Sequence, residues 1–214
     1  MSRRLSRPVT VAFVLLAALL LAACSLGASP VRPALFDLGP APAPAPAASG
    51  PHRPLRLLAL SSPAWLDSPG IAYRLEYADA YRREVYRDSR WAAAPGALLA
   101  ERLRQRFAQT ADVAGGSGAA PLAVRLELEE FGQRFAAPTR SEVQLRARAW
   151  LVDAGQGAQG GQAAAVAGPA RVFDITLAAP QPDALGAVQG LSRASEELAR
   201  QLQAWADAQA GGRP

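Results

Sequence analysis

The chain has 214 residues, half of them apolar, with one cysteine, one histidine and no lysine. That inventory excludes a disulfide framework and a Cys/His zinc constellation. Without Arg3, Arg4 and Arg7, 20 arginines face 18 acids, a net charge of +2, so the basic pI does not indicate nucleic-acid binding.

Those three arginines precede an apolar run from Val9 to Ala23, about 15 residues. A membrane-spanning helix needs roughly 20. A basic start, a short apolar core and small residues before a cut predict a signal peptide over 1–23. Leu21-Ala22-Ala23-Cys24 looks like a bacterial lipobox. In such a site Cys24 is lipidated on sulfur, the chain is cut before it, and the new amino terminus is acylated. Each buried CH2 contributes about 0.8 kcal/mol, so several palmitate-like chains make a durable anchor. Ser25 favours the outer membrane, since aspartate at that position retains such proteins at the inner one. Cleavage leaves 191 residues, enough for one domain.

Residues 24–34 are expected to be a lipidated tether. Leu35-Phe36-Asp37-Leu38 is apolar enough for a first short strand. The Pro-Ala run that follows favours polyproline II. It is a spacer or, if Leu35–Leu38 is a strand, a loop over 39–51 inside the domain, which then spans 35–208. Leu55–Leu60 is an apolar run bounded by Pro54 and Pro63, as in a buried strand. Pro69-Gly70 marks a turn. Ile71, Tyr73 and Leu75 alternate with Ala72 and Arg74, a half-buried strand, and Tyr81–Tyr86 is its hairpin partner across a turn at Asp79.

Pro95 suits the first turn of a helix. Leu98, Leu99, Leu103 and Phe107 form its apolar stripe, with Glu101, Arg102, Arg104, Gln105 and Arg106 on the other faces, and it ends before Gly115-Gly116. Leu122, Val124, Leu126 and Leu128 alternate with Ala123, Arg125, Glu127 and Glu129 in the clearest strand of the chain. Phe131 and Phe135 extend it, with a bulge or bend expected at Gly132. After a turn at Ala137-Pro138-Thr139, Val143, Leu145, Ala147, Ala149 and Leu151 line one face of a returning strand. Arg146 or Arg148 should face Glu127 or Glu129 across this hairpin. Residues 153–168, rich in Gly, Ala and Gln, read as an exposed, flexible loop. Val172–Leu177 is a last strand. Asp183 can cap a closing helix whose stripe is Leu185, Val188, Leu191, Leu198, Leu202 and Trp205, with Arg193, Glu196, Glu197 and Arg200 on its wet side. Residues 209–214 should fray into a disordered tail. The expected fold is α+β, a two-layer sandwich of a mixed, mostly antiparallel sheet with two helices on one face.

Catalytic chemistry finds no footing in this pattern. His52 lies in a spacer without a partner to fix it as a base. Ser61, Ser62, Ser68 and Ser141 lack a histidine. Gly115–Gly118 has no lysine and precedes a strand, unlike a phosphate loop. Glu129 and Glu130 are adjacent on a strand and should point to opposite faces. The chain is therefore read as a non-enzyme without cofactor, metal or catalytic residues. Trp65, Tyr73, Tyr77, Tyr81, Tyr86 and Trp91 crowd one stretch. They serve either core and hairpin stacking or a protein interface rich in Tyr, Trp and Arg. Trp91 fits a core anchor; Trp65, Tyr73, Tyr77, Tyr81 and Tyr86 are the candidate partner-binding residues.

Taken in order, these segments resemble the ABC-type transport auxiliary lipoprotein family, the PqiC-like accessory lipoproteins of MCE-domain lipid-transport systems. Leu35-Phe36-Asp37-Leu38 looks like the family's initial aromatic-x-Leu strand. Trp65-Leu66-Asp67 and Ile71-Ala72-Tyr73-Arg74 resemble its Tyr-Leu-Asp and Ile-x-x-Arg segments, with Trp65 where Tyr is common. Tyr86–Ala92 resembles the stretch before the first helix, and Leu126–Phe131 also fits. The resemblance covers about residues 35–206. It implies a non-catalytic auxiliary component of an ABC/MCE lipid transporter acting between inner and outer membranes, anchored at the outer membrane with its domain in the periplasm. It implies as partners an MCE-domain protein, a permease and an ATPase, and leaves a homo-oligomer open. The alternatives are a lipid-carrying periplasmic module and a structural or assembly lipoprotein of the envelope.

Overall fold

The computed structural model describes residues 32–41, 54–113, 122–153 and 169–210. The signal peptide, the lipobox with Cys24, nearly all of the tether, most of the Pro-Ala loop, the expected loop at 153–168 apart from Asp153, which ends a strand, and the end of the tail lie outside them. The chain divides into residues 1–32 and 33–214, and the fold below belongs to the second unit.

Seven strands form one sheet: β1 (Ala34–Phe36), β2 (Leu55–Ser61), β3 (Gly70–Leu75), β4 (Glu84–Trp91), β5 (Leu122–Ala137), β6 (Arg140–Asp153) and β7 (Arg171–Ala178). Helix α1 (Pro95–Val113) precedes β5 and helix α2 (Ala184–Ala210) follows β7. The spatial order is β1-β4-β3-β5-β6-β7, with β2 also on β5. The architecture is an α+β two-layer sandwich: a mixed, mostly antiparallel sheet with both helices packed on one face.

The long β5–β6 hairpin is the spine. It pairs continuously from Leu122↔Asp153 to Ala137↔Arg140. Along the other edge of β5, β2 pairs with its first half and β3 with its last residues, both in parallel. β2 and β3 thus act as one strand broken by a 3-10 turn at Ala64–Leu66. The alternation read from the sequence decides what faces the helices: Leu126, Leu128, Val143, Leu145, Ala147 and Ala149 are fully buried. They meet Leu191, Leu198 and Leu202 of α2 and Leu99 and Leu103 of α1 in one core. Burying each such leucine contributes about 1.5–3 kcal/mol. The α2 start is fixed as expected, with the Gly186 N–H donating to Asp183 Oδ1 at 2.7 Å.

Several local expectations are corrected. β2 is an edge strand, because it pairs with β5 alone; only Leu55 is buried and Leu58 is exposed. β4 starts at Glu84 and runs through Trp91, instead of spanning 81–86, since residues 76–83 close a wider turn. In that turn the Ala78 and Asp79 N–H groups donate to the Leu75 carbonyl and Tyr81 N–H to Asp79 Oδ1. In β3 both Ile71 and Ala72 are buried, because the β3–β4 register shifts between Gly70 and Ala72. The irregularities of β5 against β6 fall between Leu128 and Glu130 and between Phe135 and Ala137, not at Gly132. Gly132 serves a close approach: a Cβ there would stand 3.0 Å from the Ala72 carbonyl of β3. Leu185, assigned to the α2 stripe, is exposed.

Candidate functional site

The five aromatic candidates fall into three places. Trp65, on the 3-10 turn, is 37 % exposed, and the Arg83 guanidinium lies 3.3 Å from its ring centroid. Arg83 also reaches both carboxylate oxygens of Glu130, at 3.0 and 3.1 Å. Cation–π stacking and an ion pair therefore hold Trp65 flat against the sheet's outer face. Tyr77 and Tyr81 sit on the β3–β4 turn, exposed, with Tyr81 almost wholly in solvent.

Tyr73 and Tyr86 are turned inward and are only partly accessible. Their rings stack at 4.6 Å, and Tyr73 meets the edge of Phe135 at 6.0 Å. The Tyr73 hydroxyl donates to Glu84 Oε2 at 2.8 Å. That hydrogen bond, then burial, raises its phenol above the usual range. The Tyr86 hydroxyl donates to Oε1 of buried Gln133 at 2.7 Å, whose amide continues to Ser141 Oγ at 2.8 Å. Burial first, then the Asp183 charge, pushes the Tyr86 phenol far up. The structure therefore gives internal stacking to two tyrosines and leaves Trp65, Tyr77 and Tyr81 exposed.

The outer face is a ladder of ion pairs. Arg146 and Arg148 both reach Glu129, at 2.9 and 3.0 Å. Arg134 pairs with Glu142 and, at 3.7 Å, with Glu76. Glu129 and Glu130, expected on opposite faces, both meet arginines of this face, because the register shift beside them breaks the two-residue alternation. Each carboxylate has its own guanidinium partners, Arg146 and Arg148 for Glu129, Arg74 and Arg83 for Glu130. Among the described residues, no group of three or more His, Cys, Asp or Glu side chains could hold a metal ion.

On the helix side, Arg102, read as lying off the apolar stripe, is buried, and Glu196, read as wet, is largely covered. Arg102 is 3 % exposed. It donates to Glu196 Oε1 at 2.6 Å, to the Leu38 carbonyl at 2.7 Å and to the Gly39 carbonyl. Ser192 Oγ donates to the same Leu38 carbonyl at 2.6 Å, and Arg106 pairs with Glu196 at 2.8 Å. One buried guanidinium thus ties α1, α2 and the segment after β1 together. The signal was in the spacing: 99, 102, 103, 106 and 107 share one helical face. Beside this staple a cleft of about 690 Å3 opens between Leu35–Pro40 and the first turns of α2.

Residues 36–203 match the model of the ABC-type transport auxiliary lipoprotein component family. The chain belongs to that family. Its members are auxiliary components of ABC-type transport, and this chain is an accessory protein of that kind. Among solved structures it is similar to a protein of Xanthomonas campestris, with a TM-score of 0.61 at 16 % identity over 78 % of this chain and 91 % of the other. It is also similar to an uncharacterised crystallised protein, with a TM-score of 0.51 at 15 % identity over 80 % and 99 % of the two chains. At that identity the likeness shows the fold. No curated protein matches the chain. Among the described residues, no helix of this family member is long and apolar enough to cross a membrane.

Proposed function

We propose that this protein is a lipid-anchored, non-catalytic accessory subunit of an MCE-type lipid transporter, PqiC-like in role. Acyl chains on Cys24 tether it to the periplasmic side of the outer membrane, and it acts by protein contact with the MCE protein or its ABC permease and ATPase. The observation that supports this reading most is the family match across 36–203 together with Leu21-Ala22-Ala23-Cys24. The exposed Trp65, clamped by Arg83, and Tyr81 are the contacts assigned to the partner, aromatic and arginine side chains being the usual hot spots. Trp65→Ala and Tyr81→Ala leave the core untouched. Pull-down from solubilised envelopes should recover the transporter with the parent chain and lose most of it with the double variant. Equal recovery would remove these two residues from the interface, and recovery of no transporter component by the parent chain would remove the function.

A further inference from the structure

β1 lies at the end of the sheet: β4 flanks it on one side and, among the described residues, no strand lies on the other. In a parallel ladder, one residue turns both its N–H and C=O toward a given neighbour and the next turns both away. The Ala92 N–H donates to the Phe36 carbonyl at 2.7 Å, so Phe36 faces β4. Leu35 therefore directs its N–H and C=O to the open side, and its side chain is 70 % exposed.

The open edge borders the 690 Å3 cleft, whose walls include Phe36, Leu38, Pro180 and Val188. Arg193 stands at its rim. It donates to the Ala178 carbonyl at 3.2 Å and has no acidic partner among the described residues. Asp37, on the other wall, turns its carboxylate back to accept the Gly39 N–H at 2.6 Å. The cleft thus offers one backbone donor and acceptor in strand register, an apolar hollow and a cation with spare donors.

We propose that β1 and this cleft receive an extended segment of a partner protein, which adds a strand beside Leu35, places an apolar side chain in the hollow and sets a carboxylate against Arg193. The proposal rests on the reading that the domain works by protein contact, but it concerns a different surface from Trp65. The Arg102 and Ser192 hydrogen bonds to the Leu38 carbonyl keep the wall of the cleft fixed, so the occupant meets a preformed site.

The test uses the full mature chain in detergent and a displayed library of seven-residue peptides, with no transporter component present. Its failure is therefore distinguishable from failure of the pull-down. Enriched peptides should alternate apolar and polar residues and carry Asp or Glu. Leu35→Pro removes only the outward N–H, which the β1–β4 ladder does not use, and should weaken a selected peptide about five- to tenfold at unchanged Tm, the loss of one hydrogen bond. N-methylation of the peptide's pairing amide should do the same. Arg193→Glu should switch the preference from acidic to basic peptides. A library without binders, equal binding by Leu35→Pro, or an unchanged preference with Arg193→Glu would overturn the proposal. So would light scattering that shows a dimer lost in Leu35→Pro, which assigns the edge to a second copy. A phospholipid found by native mass spectrometry and displaced by neither variant nor peptide would assign the hollow to an acyl chain, and would overturn it equally.

Discussion

Arg102 illustrates how one side chain can set the geometry of a helix layer. Its guanidinium is buried with three acceptors, so truncation leaves Glu196 with Arg106 and the Leu38 carbonyl with Ser192, and takes the arginine donor from the Gly39 carbonyl. Breaking a buried pair from one side costs about 3–5 kcal/mol. Arg102→Met should sit near the lower end, because Arg106 remains, and urea denaturation will read it directly. Tyr86→Phe should cost about 1–3 kcal/mol, since Oε1 of buried Gln133 loses its donor. The same phenol governs the alkaline limb of stability. Folding raises the pKa of Tyr73 and Tyr86, so the folded state holds their protons more tightly. That stabilisation is complete below about pH 10 and is lost as pH rises through the folded values. Thermal melts from pH 8 to 12 should show Tm falling on the alkaline side, and falling less steeply in Tyr86→Phe.

At the scale of elements, what was legible in the sequence was what repeats. The two-residue alternation of β5 and β6 and the three-to-four spacing of both helices survive in the structure because each buries a single face. The turn and cap chemistry at Asp79, Pro95 and Asp183 was legible for the same local reason. What failed was register. β4 is offset and the Glu129-Glu130 pair lies on one face, because irregularities are fixed by neighbouring strands that no local pattern names. At the candidate site, exposure of Trp65 on a turn could be read locally. The inward stacking of Tyr73 and Tyr86 could not, since it depends on Phe135 and Gln133, which lie 62 residues from Tyr73 and 47 from Tyr86 respectively. Helix–sheet contact carries its own prediction. A Cβ at Gly190 of α2 would approach Val143 Cγ1 of β6 to 2.7 Å. Gly190→Leu should overpack this contact by about 1–3 kcal/mol, visible as a lower urea midpoint at unchanged slope.

The whole molecule divides its labour between two faces. Helices and the inner face of the sheet hold the core without any disulfide, while the outer face carries a ladder of ion pairs. Surface pairs of this kind contribute roughly 0–1 kcal/mol each, so they set the chemistry of that face more than its stability. The proposed partner contact draws on the stacked Trp65 and the exposed Tyr81. Partner contact at a membrane, as proposed, needs the domain to be held there, and Cys24 is the residue proposed to hold it. Intact-mass spectrometry of the chain extracted from native envelopes tests it most directly. The account predicts a polypeptide that begins at Cys24, lacks residues 1–23 and carries acyl chains; a chain that retains Met1–Ala23, or starts at Cys24 without lipid, would contradict it.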